Sequence, residues 1–466
     1  MTTMQSGTAK IRITPDTPRT QVFGMMSRGN LDDIWARCLT LNDGDQRMVI
    51  ITYDLNCLDV ATPILRERCA KELGIPAGLL VLLATHNHNA PIQIVPNNYD
   101  YGRWLADTLF DLIKTAIENE SGTVTIQFGS GHGEFVWAVG NAPADTEIQV
   151  LSVIEEDKPK AVLFTHPVHP LLGASGYIEP GHPGYACDAL EEEISDCLAL
   201  YADACGGNQF AVEPAIDGDP MAKAKSLGQH LAALVLGVLG SSMTDVTGPI
   251  EGSLEVVSLP LAPPLPREEA KRLLENAQCD QICVHYPDER RSQNWIRVLN
   301  QYYEEGKPFP KRTDDLVCTD DAFLVDAHED DRTYPCRYEE VIIARIGPMP
   351  FIAMQGEVCA PIGMRIKDAF RQRMPIFLTA YMGEHNLYIP TRELVRNDTY
   401  QSQVLRIQYA SPVDWDPNVE DEMVHAVIDH IKKRINDTEE PALVTDYLAV
   451  RMENPTASAD DADSRR

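Results

Sequence analysis

Short apolar runs that end at turn-forming residues alternate along this chain with segments of helical periodicity. Residues 7–15 alternate apolar and polar positions, which predicts a half-buried strand, and residues 34–55 contain two more strand candidates. Apolar residues recur at helical spacing over residues 101–118, which predicts an amphipathic helix. Further helices are predicted near residues 62–73, 186–204, 221–239, 267–276 and 419–433. This alternation favours an α/β fold in which mixed, buried sheets are flanked by helices.

The stretch VLLATHNHNAP, residues 81–91, combines the most apolar of these runs with two histidines. Leu79 to Leu83 form an apolar run of the kind typical of a fully buried strand. His86 and His88 follow at once, and in an extended chain side chains two residues apart point the same way. The spacing suggests a pair of metal ligands, and the alternative is one structural histidine and one solvated histidine.

Two other apolar strands also end in polar residues. His166 and His169 lie at the end of the segment AVLFTHPVH, and Glu357 lies at the end of PFIAMQGE. Two histidines and one carboxylate form the ligand set of a hydrolytic zinc site that leaves a position open for water. Zinc lowers the pKa of such a water to about 7 and polarises a carbonyl group. From the residues alone, either His166 or His169 could be the second histidine ligand.

Composition narrows the classes of function. The chain has 466 residues and a formal net charge of −30, without a basic cluster that could follow a phosphate backbone, so nucleic-acid binding is not expected. No apolar stretch is long enough for stable membrane insertion, and MTTMQSGTAK lacks the apolar core of a signal peptide. The eleven cysteines form no CxxC pair, which indicates reduced thiols and a cytoplasmic location.

The chain shows no internal repeat and no linker between independent domains. We expect one domain over residues 7–435, with residues 250–340 as a candidate insertion subdomain. Residues 1–6 and 437–466 are expected to be disordered tails. The acidic stretch between Asp314 and Asp331 is predicted to be a solvated insertion. Whether the protein is a homo-oligomer stays open.

Six segments in order resemble the catalytic domain of the neutral/alkaline (non-lysosomal) ceramidase family. They are GTAKIRITP, LLATHNHNAP, AVLFTHPVHPLLG, GHPGYACDALEEE, AMQGEVCAPIGMRIK and NLYIPTRELVRNDTYQ. The resemblance covers about residues 7–435 and implies a neutral-ceramidase-like catalytic domain. No segment resembles the C-terminal immunoglobulin-like domain that these ceramidases add, so none is expected.

The resemblance also implies roles for individual residues. His86, His169, Glu357 and Tyr388 correspond to the zinc ligands, and His88 and Tyr400 to the groups that hold the carbonyl oxygen of the substrate. His182, in the turn EPGHPGY, is a separate candidate for lining the substrate site. Its alternative is a structural histidine in a turn rich in Gly and Pro.

Two departures from the family pattern concern substrate recognition. IDGDPMA resembles the GD-x-S-P turn of the family, which would bring Asp219 and Met221 to the substrate and put Met221 where the family has serine. VGNAPAD has Ala142 where the family has arginine after the asparagine. These changes argue against ceramide as the substrate.

The sequence therefore predicts a zinc-dependent hydrolase that cleaves an amide (N-acyl) or ester bond of a small molecule by zinc-activated water. The alternative is a non-catalytic ceramidase-like protein that binds a metal or a ligand. The complete ligand set favours the enzyme, whereas Met221 and Ala142 favour the alternative.

Overall fold

The computed structural model describes residues 4–437, apart from residues 94, 276, 278–292, 307–308, 310–335, 385–386 and 408–410. The predicted acidic insertion at 314–331 and the predicted tail from residue 438 onward lie outside the described residues.

Strands and helices are numbered in chain order over the described residues. The strands are β1 Gln5–Arg12, β2 Trp35–Asn42, β3 Arg47–Tyr53, β4 Leu80–Ala84, β5 Val124–His132, β6 Val136–Ala138, β7 Glu147–Glu155, β8 Lys158–His166, β9 Leu198–Asp203, β10 Gln209–Ala211, β11 Thr244–Asp245, β12 Ile250–Pro260, β13 Cys336–Ile346, β14 Met349–Met354, β15 Glu357–Val358, β16 Phe377–Thr379 and β17 Tyr388–Ile389. The α-helices are α1 Ala61–Arg68, α2 Tyr99–Glu118, α3 Gly181–Glu193, α4 Pro220–Leu239, α5 Arg267–Leu274, α6 Asn294–Glu305, α7 Ala360–Arg371, α8 Arg392–Arg396, α9 Tyr400–Ile407 and α10 Val419–Ile435.

The fold is built on three mixed sheets. The first has the order β1-β2-β3-β4, the second β11-β5-β7-β8-β9 and the third β12-β13-β14-β16. Each is mainly antiparallel and ends in one parallel pair, which is β3–β4, β8–β9 or β14–β16. A short parallel pair, β15–β17, is separate from them. The expected α/β fold with mixed, buried sheets is therefore confirmed, and the described residues contain no immunoglobulin-like domain.

Hydrophobic patterning explains how the first sheet is covered. All five residues of β4 are buried, as expected for a strand with protein on both faces. Helix α2 buries Tyr101, Leu105, Leu109 and Ile113, four residues apart along one face, and packs against β1 and β2. Among the described residues, no helix is long and apolar enough to cross a membrane.

One predicted helix is wrong in its second half. The prediction ran from residue 186 to residue 204, whereas α3 ends at Glu193 and residues 198–203 form β9. All six residues of β9 are buried, and the strand pairs in parallel with β8. A short apolar run such as LALYA fits a buried helix and a buried strand equally well, so periodicity could not separate the two.

Two predicted boundaries also change. Strand β1 begins at Gln5, and Met4 before it and Ser6 within it are buried, so residues 4–6 are part of the folded structure. Residues 250–260 pair along their whole length with β13 in the third sheet. Both ends of the candidate insertion at 250–340 lie in the third sheet, and the insertion subdomain itself stays a prediction.

Direct contacts join the three sheets into one core. The side-chain amide of Gln149 in β7 donates to the carbonyl oxygen of Leu378 in β16 at 3.0 Å, and its oxygen accepts from the Leu378 amide at 3.0 Å. Strand β9 packs against β2, β3 and β4. The second sheet therefore contacts both of the others.

The carboxyl ends of the parallel strands meet at one place. Ala380, just after β16, donates its amide to the carbonyl oxygen of Asp203 at the end of β9. Gly383 donates to Leu82 in β4, and Tyr381 donates to Gly356 just before β15. Residues that follow these strands are thus brought together, although they are far apart in sequence.

Close backbone contact also joins the first and third sheets. A Cβ atom at Gly78, two residues before β4, would lie 2.4 Å from the Cα atom of Ser253 in β12. Real Cβ atoms do not approach a backbone atom so closely, so only glycine allows this contact.

We expect Gly78→Ala to lower the free energy of unfolding by about 1–3 kcal/mol or more, because the added methyl group has no space. The matched control is Gly237→Ala in α4, where no atom lies within 4 Å of the new Cβ. There, alanine should raise stability by up to about 1 kcal/mol through helix propensity. Reversible urea unfolding measures both changes, and an unchanged midpoint for Gly78→Ala would contradict the close contact.

Candidate metal centre

The four side chains that the family resemblance assigns to zinc lie close together. The Nε2 atoms of His86 and His169 are 3.2 Å apart. Oε2 of Glu357 lies 2.9 Å from Nε2 of His169 and 3.4 Å from Nε2 of His86. The hydroxyl oxygen of Tyr388 lies 3.0 Å from Nε2 of His169. Residues up to 302 positions apart in the sequence therefore contribute to one cluster.

These spacings fit a single metal ion. Ligand atoms that each lie about 2.0–2.2 Å from one zinc ion are roughly 3–3.5 Å from each other. Among the described residues, His86, His88 and His169 form a group whose ligand atoms all lie within 4.8 Å of one another, so the cluster could hold a metal. Nitrogen and carboxylate ligands suit zinc, although these donors do not identify the metal.

Charge in the cluster also favours a cation. Burial by itself raises the pKa of Glu357, but His86 and His169 outweigh burial and lower that pKa well below its ordinary value. Burial lowers the pKa of His86, and burial together with Glu357 raises the pKa of the Tyr388 phenol. The Glu357 carboxylate is therefore a buried negative charge that a neighbouring positive charge stabilises, and a metal cation would supply that charge.

A backbone turn after β4 places the two histidines of the motif THNH. His86 has a φ of 54°, in the left-handed region, so the chain is not extended here as the alternation argument assumed. The side-chain amide of Asn87 donates to the carbonyl oxygens of Asp54 and Glu179 and holds this turn. The two imidazoles still converge, with their Nε2 atoms 3.2 Å apart. Non-glycine residues with such strained φ angles are concentrated at functional sites.

Outer contacts orient the two buried histidines. Nδ1 of His169 lies 3.1 Å from the carbonyl oxygen of Gly206, and Nδ1 of His86 lies 3.2 Å from the carbonyl oxygen of Asn56. An Nδ1–H that donates to a carbonyl leaves the Nε2 lone pair for a metal. The side-chain nitrogen of Asn56 is also 3.1 Å from Nδ1 of His86.

Sequence reasoning missed both outer residues, for different reasons. Asn56 follows β3, which was a predicted strand, but no functional residue was predicted at the end of that strand. Gly206 follows β9, which was predicted as helix, so no strand end was expected there. The rule that located His86 would have located Asn56 as well, because β3 and β4 are parallel neighbours.

Glu357 and Tyr388 come from the short parallel pair. They are direct partners in the register of β15 and β17, which places their side chains on the same face. Tyr381 closes the cluster from another side, with its ring 4.3 Å from that of His86, measured between centroids. Tyr381 also has a positive φ, of 56°.

The two predicted catalytic residues border the same cluster. His88 is half-buried, whereas His86 and His169 are each 2% exposed. The ring of Tyr400, at the start of α9, makes an edge-to-face contact with the ring of Tyr388 at 5.8 Å. His88 and Tyr400 are thus more exposed than the two buried histidines of the cluster.

The structure separates His166 from His169. His169 lies in the cluster, whereas His166 is completely buried beside Phe135 and His182, with centroid distances of 4.8 Å and 5.8 Å. His182 was a candidate for lining the substrate site, but it is itself 0% exposed in the first turn of α3. Because His182 is fully buried, a structural role is favoured over a role in lining the substrate site.

Asp219 and Met221 lie at the start of α4. The Asp219 carboxylate accepts a hydrogen bond from the Ala222 amide at 2.8 Å and caps the helix, and Asp219 is exposed.

The segment that lies beside His169 is residues 206–210, and not the start of α4. His169 donates its amide to Gln209, and the ring of Phe210 lies 5.5 Å from the His169 ring. A substrate role for Asp219 and Met221 stays a prediction, while residues 206–210 are the direct neighbours of the cluster.

A polar pocket adjoins His86 and Glu357. It is also lined by Asn56, Cys57 and Glu384. Burial, followed by the nearby Glu340, raises the pKa of Glu384 to about 8. A carboxyl group that is mostly protonated at neutral pH therefore faces the pocket.

Comparison with known proteins bears on the fold. No protein-family model matches the chain, and no curated protein is similar enough to be matched. A crystal structure of neutral ceramidase from Pseudomonas aeruginosa superposes over 96% of this chain and 77% of that one, with a TM-score of 0.67 and 17% identity. The fold is neutral-ceramidase-like. A structure of ceramidase complexed with C2 agrees, with the same TM-score and identity over 96% of this chain and 78% of that one. The family resemblance seen in the six sequence segments is thereby confirmed at the level of the fold.

The buried pair His166 and His182 predicts a sensitivity to acid. Burial lowers the pKa of His182 to about 3, and burial followed by His182 lowers the pKa of His166 well below its ordinary value. Between the ordinary histidine pKa near 6.5 and the lowered value, the unfolded chain binds protons that the folded chain does not. Stability should therefore fall as the pH falls through this range.

We expect His182→Phe to reduce the slope of unfolding free energy against pH between pH 4 and 6 by up to about 1.4 kcal/mol per pH unit. Urea midpoints at several pH values, with EDTA present to exclude metal effects, measure this slope. The control is His132→Phe, because His132 is exposed. An identical slope for His182→Phe and the wild type would contradict the neutral buried pair.

Proposed function

We propose that this protein is a zinc-dependent hydrolase that cleaves the amide bond of a small N-acyl substrate, or a related ester. The observation that carries the proposal is the convergence of His86, His169, Glu357 and Tyr388 at spacings of 2.9–3.4 Å. Support also comes from the fold, since the structural neighbours with this fold are ceramidases.

Zinc would be held by Nε2 of both buried histidines, the Glu357 carboxylate and the Tyr388 oxygen. When bound, zinc polarises a carbonyl and lowers the pKa of a water to about 7. The protein contributes the orientation of the two histidine ligands through Asn56 and Gly206. In this proposal His88 and Tyr400 hold the carbonyl oxygen while negative charge develops on it.

Exposed apolar side chains next to the cluster support an N-acyl substrate with an apolar part. The ring of Trp137 stacks on that of Phe210 at 4.8 Å, and Phe210 in turn packs on His169. Trp137 is 50% exposed, and Leu171, two residues after His169, is 45% exposed. An apolar group bound beside Phe210 would remove the Trp137 side chain from water.

We also propose a cytoplasmic location. Seven cysteines within the described residues are free and buried, namely Cys38, Cys57, Cys69, Cys187, Cys197, Cys205 and Cys359. Buried, unpaired thiols fit a reducing compartment. Eleven free thiols in protein denatured without reductant would agree with this location, and disulfides would argue against it.

The function is tested with a series of N-acyl amines and matching esters of increasing acyl length. We expect the zinc-loaded protein to hydrolyse at least one member, and chelation or His169→Ala to abolish the activity. Tyr400→Phe should lower kcat by about 10²–10³ with metal content unchanged, because one donor to the developing oxyanion is lost. His132→Ala, on the exposed surface, is the control and should retain full activity.

The same assay examines the apolar surface. In the wild type, kcat/KM should increase with acyl length, and Trp137→Ala should reduce this increase. Zinc binding without hydrolysis of any substrate would support the alternative of a non-catalytic metal-binding protein. A protein that binds no divalent metal would refute the proposal.

A further inference from the structure

Glu179 is a buried acidic residue that has no part in the reaction proposed above. It lies in the turn EPGHPGY, two residues before the start of α3, and it is 0% exposed. Burial of a carboxyl group is unfavourable unless hydrogen bonds or opposite charges replace its contacts with water. The hydrogen-bond partners of Glu179 therefore indicate what the residue is for.

Glu179 binds both sequence neighbours of His88. Its amide donates to the carbonyl oxygen of Asn89 at 3.2 Å, and its carbonyl oxygen accepts from the side-chain amide of Asn87 at 2.7 Å. Its carboxylate atom Oε1 accepts from the side-chain amide of Asn89 at 2.8 Å. Three hydrogen bonds from one residue thus fix the chain on either side of His88.

The same carboxylate also binds two other segments. Its Oε1 accepts from the Ala174 amide at 3.3 Å, and its Oε2 accepts from the Gly181 amide at 3.2 Å. A Cβ atom at Gly173 would lie 1.8 Å from Oε1 of Glu179 and 2.1 Å from Nδ2 of Asn89. Only glycine therefore lets this loop pass beside the hydrogen bond between the two side chains.

We propose that Glu179 is a positioning residue that holds His88 at the metal cluster through Asn87 and Asn89. This inference rests on the proposed function, in which His88 holds the carbonyl oxygen of the substrate. It assigns a role in the rate of reaction to a carboxylate that need touch neither the substrate nor the metal.

The position of His88 depends strongly on its backbone. His88 is half-buried, whereas His86 and His169 are each 2% exposed, so neighbouring side chains enclose the His88 ring less completely. A displacement of about 1 Å in a catalytic group can lower the rate about 10²-fold. Loss of the contacts around residues 87–89 should therefore reduce the rate through His88.

Asp43 provides a matched control, because it is a buried carboxylate that also accepts hydrogen bonds from backbone amides. It is 4% exposed and accepts from Asp45 at 2.9 Å, from Gln46 at 2.7 Å and from Ile250 at 2.7 Å. It lies in the turn between β2 and β3, at the end of β3 that is opposite the metal cluster. We expect Asp43→Ala to lower stability without moving His88.

The first measurement is NMR of the histidine rings in protein labelled with ¹³C-histidine. The Hε1 signal of His88 is identified by its loss in His88→Ala. This signal should shift or broaden in Glu179→Ala and should match the wild type in Asp43→Ala. An unchanged signal in folded Glu179→Ala would overturn the positioning role, whether or not a substrate is known.

The second measurement uses the N-acyl substrate that the wild type hydrolyses. Glu179→Ala should lower kcat about 10²-fold, with KM and zinc content little changed. In a His88→Ala background the same substitution should change kcat by no more than about twofold, because effects of residues that act as a unit are not additive. A purely structural role would instead lower kcat by the same factor in both backgrounds, and that result would overturn the inference.

Two further variants test the hydrogen bond itself. Asn89→Ala removes it from the side of His88, so it should shift the same NMR signal and lower kcat even if Glu179→Ala does not fold. Glu179→Gln keeps an acceptor oxygen for Asn89 and should retain more activity than Glu179→Ala. Equal kcat in these two variants of Glu179 would contradict a role through this bond.

The two possible failures are distinguishable. A wild type that hydrolyses no substrate would refute the proposed function, while the NMR comparison would still decide the role of Glu179. Hydrolysis by the wild type, with an unchanged His88 signal in Glu179→Ala, would refute the positioning role and leave the proposed function intact.

Discussion

Parallel strand pairs that end at one point are the constraint on which the rest of the structure depends. Each main sheet contributes one such pair, β3–β4, β8–β9 or β14–β16, and β15–β17 adds a fourth. Backbone hydrogen bonds between residues just beyond these strands hold their carboxyl ends together. Polar groups gather at the carboxyl ends of parallel strands because the chain leaves the sheet there. In this protein the strand ends of several sheets contribute polar groups to the same cluster.

Bringing those groups together has an electrostatic cost that a metal would remove. A carboxylate, a phenol and imidazoles lie within a few ångströms of one another, and Nε2 of His86 faces more polar atoms than one ring nitrogen can pair with. The surrounding structure stabilises the arrangement through Asn56, Gly206 and the strained turn at His86. Strain and unsatisfied polar atoms of this kind are typical of functional sites.

Sequence patterns located much of this site because ligand-bearing residues follow apolar strands. His86, His169 and Glu357 were found in that way, but His166 is the last residue of β8 and His169 follows it, and only the path of the chain after β8 separates the two. Tyr388 lies in a two-residue strand with no periodicity of its own, so the family resemblance was the only signal for it. Gly206 was hidden by the error that extended α3 over β9. Asp219 matched a short motif, yet its carboxylate caps α4.

The most direct test of the account is the zinc content of protein purified without added metal, measured for the wild type and His86→Ala. The account predicts about one zinc per chain in the wild type and none in the variant, because His86 contacts His88, His169 and Glu357 at the centre of the cluster. A wild type that contains no zinc, and takes up none when incubated with the metal, would contradict it.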